Sequence, residues 1–380
     1  MKFELTEEQK LIQQTAREFA ERELKGIASK LDKEAIFPKE QIKKLGEMGF
    51  MGVAIPEEYG GGGLDYISYV LIIEEISRVC AGTGVIVSVN NSLVCDPLLK
   101  YGTEEQKKTV LKELASGKKL GCFGLSEPSA GSDVAGIRTT AIRDGNEWVL
   151  NGEKNFITNA PQADYAIIFA YTDKSKRHHG ISAFIVPKDA PGYSTGPKEK
   201  KLGIRASWSS SIFLDECRIP LDNILGDEGM GFKIAMTTLD AGRIGIAAQA
   251  VGIARAAFEE ARDYAKQRTA FGQPIAQFQA IQFTLADMAM KIEAARLLTL
   301  KAAWMKDQGL KHTKESSMCK TFASETAMWV TTKAIQIHGG YGYLEDFNVE
   351  RYFRDAKITE IYEGTNEIQR IVIARALLKE

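Results

Sequence analysis

The sequence has little of what metal centres and covalent frameworks are built from. Its four histidines include an adjacent pair, His178 and His179, in a basic loop, and there is no HExxH and no Cys/His cluster. A metal site is therefore not expected. The five cysteines, Cys80, Cys95, Cys122, Cys217 and Cys319, are an odd number without a CxxC pair. They read as buried or free thiols in a reducing compartment. No apolar run approaches the roughly 18–20 residues that span a bilayer. An excess of one charge is missing as well: 49 Lys and Arg against 50 Asp and Glu give a net charge of −1, with acids and bases interspersed, and nothing suggests the basic face that a nucleic acid would need. There is no GxSxG and no strand running into a GxGxxG. The Gly60–Gly63 run lacks the Lys-Ser/Thr of a P-loop and reads as a plain loop. Internal repeats and low-complexity tracts are absent. The start, Met1-Lys-Phe-Glu-Leu-Thr-Glu-Glu, is acidic and enters a helix at once, unlike a signal or transit peptide. A bacterial cytoplasm is the expectation; a mature mitochondrial matrix form would look the same.

What is present is apolar surface in three textures. A chain of 380 residues, 44% of them hydrophobic, can bury more than one compact unit. Residues 1–119 read as a helical domain. Thr6-Glu-Glu-Gln9 is a capping box ahead of Leu11, Ile12, Thr15 and Phe19 on one face. Helices are predicted over 39–48 and 66–79, and 81–99 reads as a buried helix able to line a pocket. Residues 120–228 have a period nearer two and read as a β domain. A hairpin is expected around Asp144-Gly145, with strands near 155–158, 166–170, 181–186 and 211–214 and turns at 173–180, 187–196 and 220–222. Alternating helices, as a dinucleotide-binding fold needs, are missing there. Residues 229–380 turn helical again, over 232–267, from 278 along a seam of Phe278, Ile281, Leu285, Met288, Ile292 and Ala295, over 314–337, and after Glu363. The expected class is α+β and multidomain: an N-terminal helical domain, a barrel- or sandwich-like β domain and a C-terminal four-helix bundle.

Chemistry is expected where glycine and polar residues exceed what a core needs. In Ile361-Tyr-Glu-Gly-Thr-Asn-Glu-Ile-Gln-Arg370 a carboxylate, Glu363, precedes a helix whose N-cap is Thr365 or Asn366 and whose stripe is Ile368, Ile371, Val372 and Leu378, with Arg375 inside it. Gly364 lets the backbone approach a ligand. Two readings are open on these residues alone: a surface glutamate, or a general base beside backbone N–H groups. Four further stretches share the texture. Residues 122–133 are a strand-to-loop passage with hydroxyls and free N–H groups. Residues 155–160 place an aromatic and a threonine on one strand face, or simply pack. Residues 267–274 put an arginine and a phenylalanine in a break between helices, which suits a pyrophosphate and a flat ring. The fourth is 336–342. Each taken singly reads as a loop.

Taken together they resemble one family. Gly124-Leu-Ser-Glu-Pro-Ser-Ala-Gly-Ser-Asp133, Arg268-Thr-Ala-Phe-Gly272, Gln336-Ile-His-Gly-Gly340 and Ile361-Tyr-Glu-Gly-Thr365, in this order and spacing, are similar to the signatures of the acyl-CoA dehydrogenases over essentially the whole chain. The resemblance implies that family's fold, FAD between the β domain and the C-terminal helices, and α,β-dehydrogenation of an acyl-CoA. It implies Glu363 as α-proton base, with the hydride passing to flavin N5. Phe123, Leu125, Ser126, Phe156, Ile157 and Thr158 match positions around the flavin ring, and Ser132 one that touches both flavin and substrate. Arg268, Phe271, Gln279, Gln336, Gly339 and Gly340 match the pyrophosphate and adenosine end, partly across a subunit boundary; Thr365 and Glu367 match further FAD contacts. Asp240, Arg243, Tyr362 and Gly364 match substrate contacts. A homotetramer, a dimer of dimers, and electron-transfer flavoprotein as acceptor are implied too.

Relatives with the base on the long helix carry it where this chain has Gly242, so Glu363 is the one matching carboxylate. Glutaryl-type relatives carry an arginine where this chain has Gly84, and Phe156 stands where several have tryptophan. The expected substrate is a short- to medium-chain acyl-CoA, butyryl-like before octanoyl-like, with depth set near 93–99 and Tyr362. The alternatives are a short branched-chain dehydrogenase, an oxygen-using acyl-CoA oxidase-like or monooxygenase-like relative, and a helical scaffold without flavin.

Overall fold

The structure, a computed structural model, describes residues 4–379. The first segment is helical: α1 (Glu7–Phe19), α2 (Ala28–Lys33), α3 (Lys39–Glu47), α4 (Tyr66–Val79), α5 (Ala81–Ser88), α6 (Asp96–Tyr101), α7 (Glu104–Gln106) and α8 (Lys112–Ala115). The Thr6 hydroxyl accepts from Gln9 N–H and the Gln9 side chain accepts from Thr6 N–H, which satisfies two orphan donors of α1. The face that α1 buries differs from the expected one. Leu11 is 63% exposed, and the inward stripe is Gln9, Ile12, Ala16 and Phe19, at spacings of three and four.

At the centre lies α4, packed by α1, α9 and α10 and buried at nearly every position. Such a helix strands its own charges unless partners arrive with the neighbours. Glu74 bonds Arg255 and Arg296, and Glu75 bonds Arg17 at 2.9 Å and Arg255 at 3.0 Å. Burial alone would push the Glu75 carboxyl up; the two guanidiniums win and hold it at about 2. The expected helix over 81–99 exists as α5, a wider turn over Val89–Cys95 and α6.

The middle segment is one eight-stranded sheet: β1 (Gly121–Gly124), β2 (Thr140–Asp144), β3 (Glu147–Thr158), β4 (Tyr165–Tyr171), β5 (Ile181–Pro187), β6 (Tyr193–Thr195), β7 (Ser209–Pro220) and β8 (Ile224–Leu225). Strand order is β6-β7-β3-β2-β4-β5-β8, with β1 parallel to β4. The Asp144-Gly145 hairpin joins β2 and β3 as expected. The two strand pieces expected near 147–150 and 155–158 are one strand, β3, broken by register shifts between Leu150 and Gly152 and between Lys154 and Ile157. The sheet has its own apolar cluster, with Trp148 edge-on to Phe184. β6 lies inside the predicted turn 187–196; three residues are too short for a period-two signal.

The last segment holds α9 (Gly231–Gln267), α10 (Gln279–Asp307), α11 (Thr313–His338), α12 (Val349–Ile358) and α13 (Asn366–Leu377). The four expected helices are present and α12 is added to them. Its buried stripe is Val349, Arg351, Tyr352, Asp355 and Ala356, so two charged residues hide its hydrophobic period. Where α9 crosses α4, a Cβ at Gly252 would overlap the Glu74 carbonyl, which is why the two backbones can approach there. The α10 seam is buried in its second half, at Met288, Ile292 and Ala295.

Candidate active site

A cavity of about 480 Å³ opens where the three segments meet. One wall is Phe123, Leu125 and Ser126 from the end of β1 and Phe156, Ile157 and Thr158 from the end of β3. The opposite wall is Leu239 and Arg243 of α9 with Tyr362, Glu363 and Gly364. Val89 and Leu93 close one side, and Ile368, Ile371, Val372 and Arg375 of α13 another. The stripe expected on α13 thus faces this cavity, except Leu378, which is 88% exposed.

Phe156 is the exposed residue of the bulge in β3. It has φ 60°, left-handed for a residue with a side chain, and is 70% exposed although it lines the cavity. Such a backbone is costly, on the order of 1–3 kcal/mol, and persists where its surroundings enforce it. Asn155 does so: its N–H donates to Ser126 O at 2.9 Å and its side-chain oxygen accepts from Phe156 N–H at 2.9 Å. Ile157 also lines the cavity and belongs to the apolar cluster of the sheet. Ser132 sits at the exposed rim.

The loop behind these residues hangs on a buried ion pair that the sequence reading did not single out. Lys154 Nζ donates to Glu127 Oε1 at 2.7 Å, and the same carboxylate accepts from Arg138 N–H, Thr139 N–H and the Thr139 hydroxyl. Lys154 follows Trp148, Leu150 and Gly152 at every second position of β3, so its inward aim was there in the period of two.

Glu363 is carried on a strained turn: φ is 54° at Glu363 and 92° at Gly364. Glycine suits the second position; the first is paid for by hydrogen bonds to both carbonyls. Gln369 Nε2 donates to Glu363 O at 3.1 Å and to Gly364 O at 2.8 Å, and Lys320 Nζ donates to Gly364 O at 2.9 Å. The Thr365 hydroxyl caps α13, as one of the two expected residues. Tyr362 donates its hydroxyl to Gln249 Oε1. Glu363 Oε2 is buried and has no hydrogen-bond partner among the described residues. Burial pushes this carboxyl up to about 8, opposed by the charges of Arg243 and Lys320. Gly242 lies directly against it: a Cβ there would overlap Oε2. Gly242, singled out in the sequence beside Glu363, is therefore its direct neighbour in space.

Arg243 lines the cavity and donates to Asp240 Oδ1 at 2.7 Å; Asp240 also accepts from Thr313 and is not a lining residue. Gly84 packs on α4, where a Cβ would overlap the Ser77 hydroxyl.

The remaining expected cofactor residues lie elsewhere. A second cavity of about 390 Å³ is lined by Arg268, Gly339 and Gly340 with Tyr264, His338 and Tyr341. At Gly339 and Gly340 a Cβ would meet nothing within 4 Å, so this floor is open. Phe271 is 96% exposed, Gln279 and Gln336 are exposed, and none of the three lines either cavity. Glu367 is exposed on the first turn of α13, and Thr365 lines neither cavity. Within one chain the expected set is thus split: part lines the first cavity, Arg268, Gly339 and Gly340 line the second, and Phe271, Gln279, Gln336, Thr365 and Glu367 line neither. Lys320, Gln369 and Gln249 were missed. The signal for Lys320 was its phase, since Ser316, Lys320, Ala323 and Ala327 form one buried stripe of α11.

No group of histidine, cysteine or carboxylate residues able to hold a metal exists among the described residues, and no described helix is long and apolar enough to cross a membrane. The first cavity does fit a flat, mostly apolar cofactor with polar edges. Its β-side wall is aromatic and aliphatic, with the Ser126 and Thr158 hydroxyls beside it, and an unpartnered carboxyl oxygen faces it.

Comparison with known proteins agrees over the whole length. The acyl-CoA dehydrogenase N-terminal, middle and C-terminal domain families match residues 6–118, 122–217 and 229–378. The short-chain specific acyl-CoA dehydrogenase of rat mitochondria is 54% identical over 99% of this chain and 91% of that protein. The short-chain specific acyl-CoA dehydrogenase of Clostridium acetobutylicum is 50% identical over the full length of both. Among solved structures, butyryl-CoA dehydrogenase from Megasphaera elsdenii superposes with a TM-score of 0.98 at 48% identity, covering both chains completely. A chain described with the electron transferring flavoprotein of Acidaminococcus fermentans gives 0.99 at 52%, again over both chains. An acyl-CoA dehydrogenase from Bacillus anthracis complexed with FAD gives 0.94 at 37%, over 99% of this chain and 67% of that one. With all three domain families matched in order and half its residues shared with full-length relatives, the chain belongs to the acyl-CoA dehydrogenase family.

Proposed function

We propose that this chain is an FAD-dependent short-chain acyl-CoA dehydrogenase in which Glu363 removes the α-proton of the thioester. The observation that carries the reading is the Glu363 carboxyl: buried, unpartnered at Oε2, and facing a cavity whose other wall is built for a flat ring. An α-proton is too weakly acidic for a carboxylate in water, so the base must be strong and the enolate oxygen stabilised. Burial supplies the first requirement by raising the carboxyl to about 8. The second is open to the Glu363 N–H, which has no protein partner among the described residues. Phe123, Leu125, Ser126, Phe156, Ile157 and Thr158 would hold the flavin ring, with Ser132 at the rim shared with substrate. A bound flavin supplies the two-electron acceptor for the β-hydrogen. Arg268, Gly339 and Gly340 would hold the pyrophosphate and adenosine end of a partner chain's FAD, joined in the assembly by Phe271, Gln279 and Gln336, while Thr365 and Glu367 approach from the α13 side.

The acyl group is butyryl-like. Tyr362 is pinned through its hydroxyl to Gln249, and Leu93 and Val89 stand beside the cavity, so a longer chain has to displace buried apolar residues. Arg243, with Asp240 holding its guanidinium, faces the coenzyme A side.

A homotetramer is supported by the outer face of α10. Phe283, Met290, Leu297 and Trp304 lie seven residues apart and are 64%, 63%, 45% and 43% exposed, an apolar stripe that a second copy would cover. Electron-transfer flavoprotein is the acceptor we assign, and a bacterial cytoplasm the compartment, with a matrix form as its alternative.

The test is an anaerobic titration of the purified yellow protein with butyryl-CoA, then octanoyl-CoA. Bleaching of the flavin band by butyryl-CoA, with octanoyl-CoA weaker, is expected. A flavin band untouched by both would remove the straight-chain reading and turn attention to short branched acyl-CoAs. Rapid reoxidation by air would mark an oxidase.

A further inference from the structure

Lys320 is fully buried in α11, and no carboxylate is within ion-pair distance of it among the described residues. An ammonium is an expensive way to make two hydrogen bonds in a protein interior, since an amide would make them without burying a charge. Its bonds go to the Gly364 carbonyl at 2.9 Å and to Asn366 Oδ1 at 2.9 Å, and Asn366 is held in turn by Ser324. Both acceptors flank the strained turn, and Gln369 takes the same Gly364 carbonyl from the other side.

We propose that Lys320 is a positioning residue of the deprotonation step: its ammonium anchors the left-handed turn that carries Glu363 and places positive charge behind the base. This rests on Glu363 being the base. The clamp draws the carbonyls of residues 363 and 364 towards α11 and α13, which leaves the peptide N–H side of the turn free for the thioester oxygen. The charge favours the ionised form of Glu363, which burial disfavours. Without it, burial would drive the carboxyl further from its working form. Burial also pulls the Lys320 ammonium down, and Glu363 is the first charge that opposes the fall, so ionisation of Glu363 favours the charged lysine. The two titrations are therefore linked, and a pH profile reports on the pair.

Other groups face this pair. Arg243 comes from α9, with Asp240 bound to it; Glu360 and Tyr362 from the turn; Glu367 from α13; and Tyr66 and Tyr69 from α4. Substitution at Lys320 leaves all of them in place.

The experiment uses the flavin-loaded protein with Lys320→Gln, which removes the charge and keeps a donor, and Lys320→Met, which removes both. Two readouts are taken. One is the rate of flavin bleaching by butyryl-CoA against pH. The other is the infrared carboxyl band of Glu363 in the substrate-free protein against pH, assigned with Glu363→Gln. In both variants the midpoint of Glu363 ionisation should rise by on the order of one pH unit. Lys320→Met should in addition lower the limiting rate at high pH roughly tenfold or more, with KM little changed, because the turn is unclamped. A midpoint that stays put or falls in Lys320→Gln overturns the proposal, even if activity is lost, since a merely structural lysine would not move it. Should Lys320→Met fail to fold, Lys320→Gln decides alone. If Glu363→Gln still bleaches its flavin, the base assignment itself falls. If that variant is dead and the Lys320 variants titrate like the parent, only the present inference falls.

Discussion

Two buried glutamates sit near buried lysines in this molecule, and they are built in opposite ways. In the β sheet, Glu127 touches Lys154 at 2.7 Å and accepts three further hydrogen bonds from residues 138 and 139. Burial pushes its carboxyl up, but these partners outweigh it, and Glu127 ends below its ordinary value. Between α11 and the 361–365 turn, Glu363 has no bond at Oε2, its nearby lysine bonds backbone and Asn366 instead, and its carboxyl is pushed up to about 8. A fully satisfied carboxylate stays charged and inert and can organise a loop. A carboxylate left short of partners holds its proton affinity high, which is what a base in a dry site requires.

The largest effect should come from removing the second carboxylate. Glu363→Gln keeps shape and should keep flavin, yet lose bleaching by butyryl-CoA by roughly 10²–10⁴-fold or more. Glu127→Gln should cost far less in rate. If the two variants lost activity equally, the contrast between an inert and a working glutamate would not stand. The next effect runs the other way, in stability. Lys154→Met leaves Glu127 as a buried unpaired charge and should cost about 3–5 kcal/mol by urea unfolding, with Lys154→Met/Glu127→Leu recovering part of the loss. A loss below about 1 kcal/mol would mean that water reaches the pair. Smaller again is Gly242→Ala. Its methyl group claims the space of Glu363 Oε2, so the carboxyl must turn from its present rotamer. A fall in kcat of about 10- to 100-fold is expected, with KM for butyryl-CoA less affected. An unchanged kcat would show that the base does not work from the position seen.

Much of this was legible in the sequence because the elements obey their periods. The capping box at Thr6, the α4 limits and the Asp144-Gly145 hairpin follow from local rules and appear where expected. What escaped did so where a charged residue occupies an inward position. α12 was hidden because Arg351 and Asp355 lie on its buried face. Lys154 and Lys320 were passed over because a lysine is ordinarily a surface residue. Phe156 has its exposure from a bulge, which shifts the strand's alternation by one and is invisible to a period-two reading. Gly84 and Gly242 are alike in sequence as glycines, but only Gly242 lies against the Glu363 carboxyl; Gly84 faces Ser77. The separation of Arg268, Gly339 and Gly340 from the residues of the first cavity could not be read from spacing, since it depends on how α9 and α11 pack in three dimensions.

The smallest effect tests the same contrast through stability. Burial raises the Glu363 carboxyl from an ordinary 4.5 to about 8 in the native state. Between those values the native state holds a proton that the unfolded chain releases, so stability falls as pH rises through this window and levels off above it. Glu363→Gln carries no such proton. It should therefore match the parent near pH 5 and melt a few degrees higher near pH 8, where the parent bears the full penalty. Glu127→Gln should do the reverse. Its lowered native pKa makes the carboxylate stabilising above the ordinary value, with that contribution lost as pH falls through the native one, so the variant should melt below the parent at pH 8. Against the parent at pH 8, thermal melts of the two variants thus shift with opposite signs for two glutamates that composition alone cannot tell apart. Equal signs would mean that Glu363 is solvated in the resting protein and gains its basicity only when substrate expels the water.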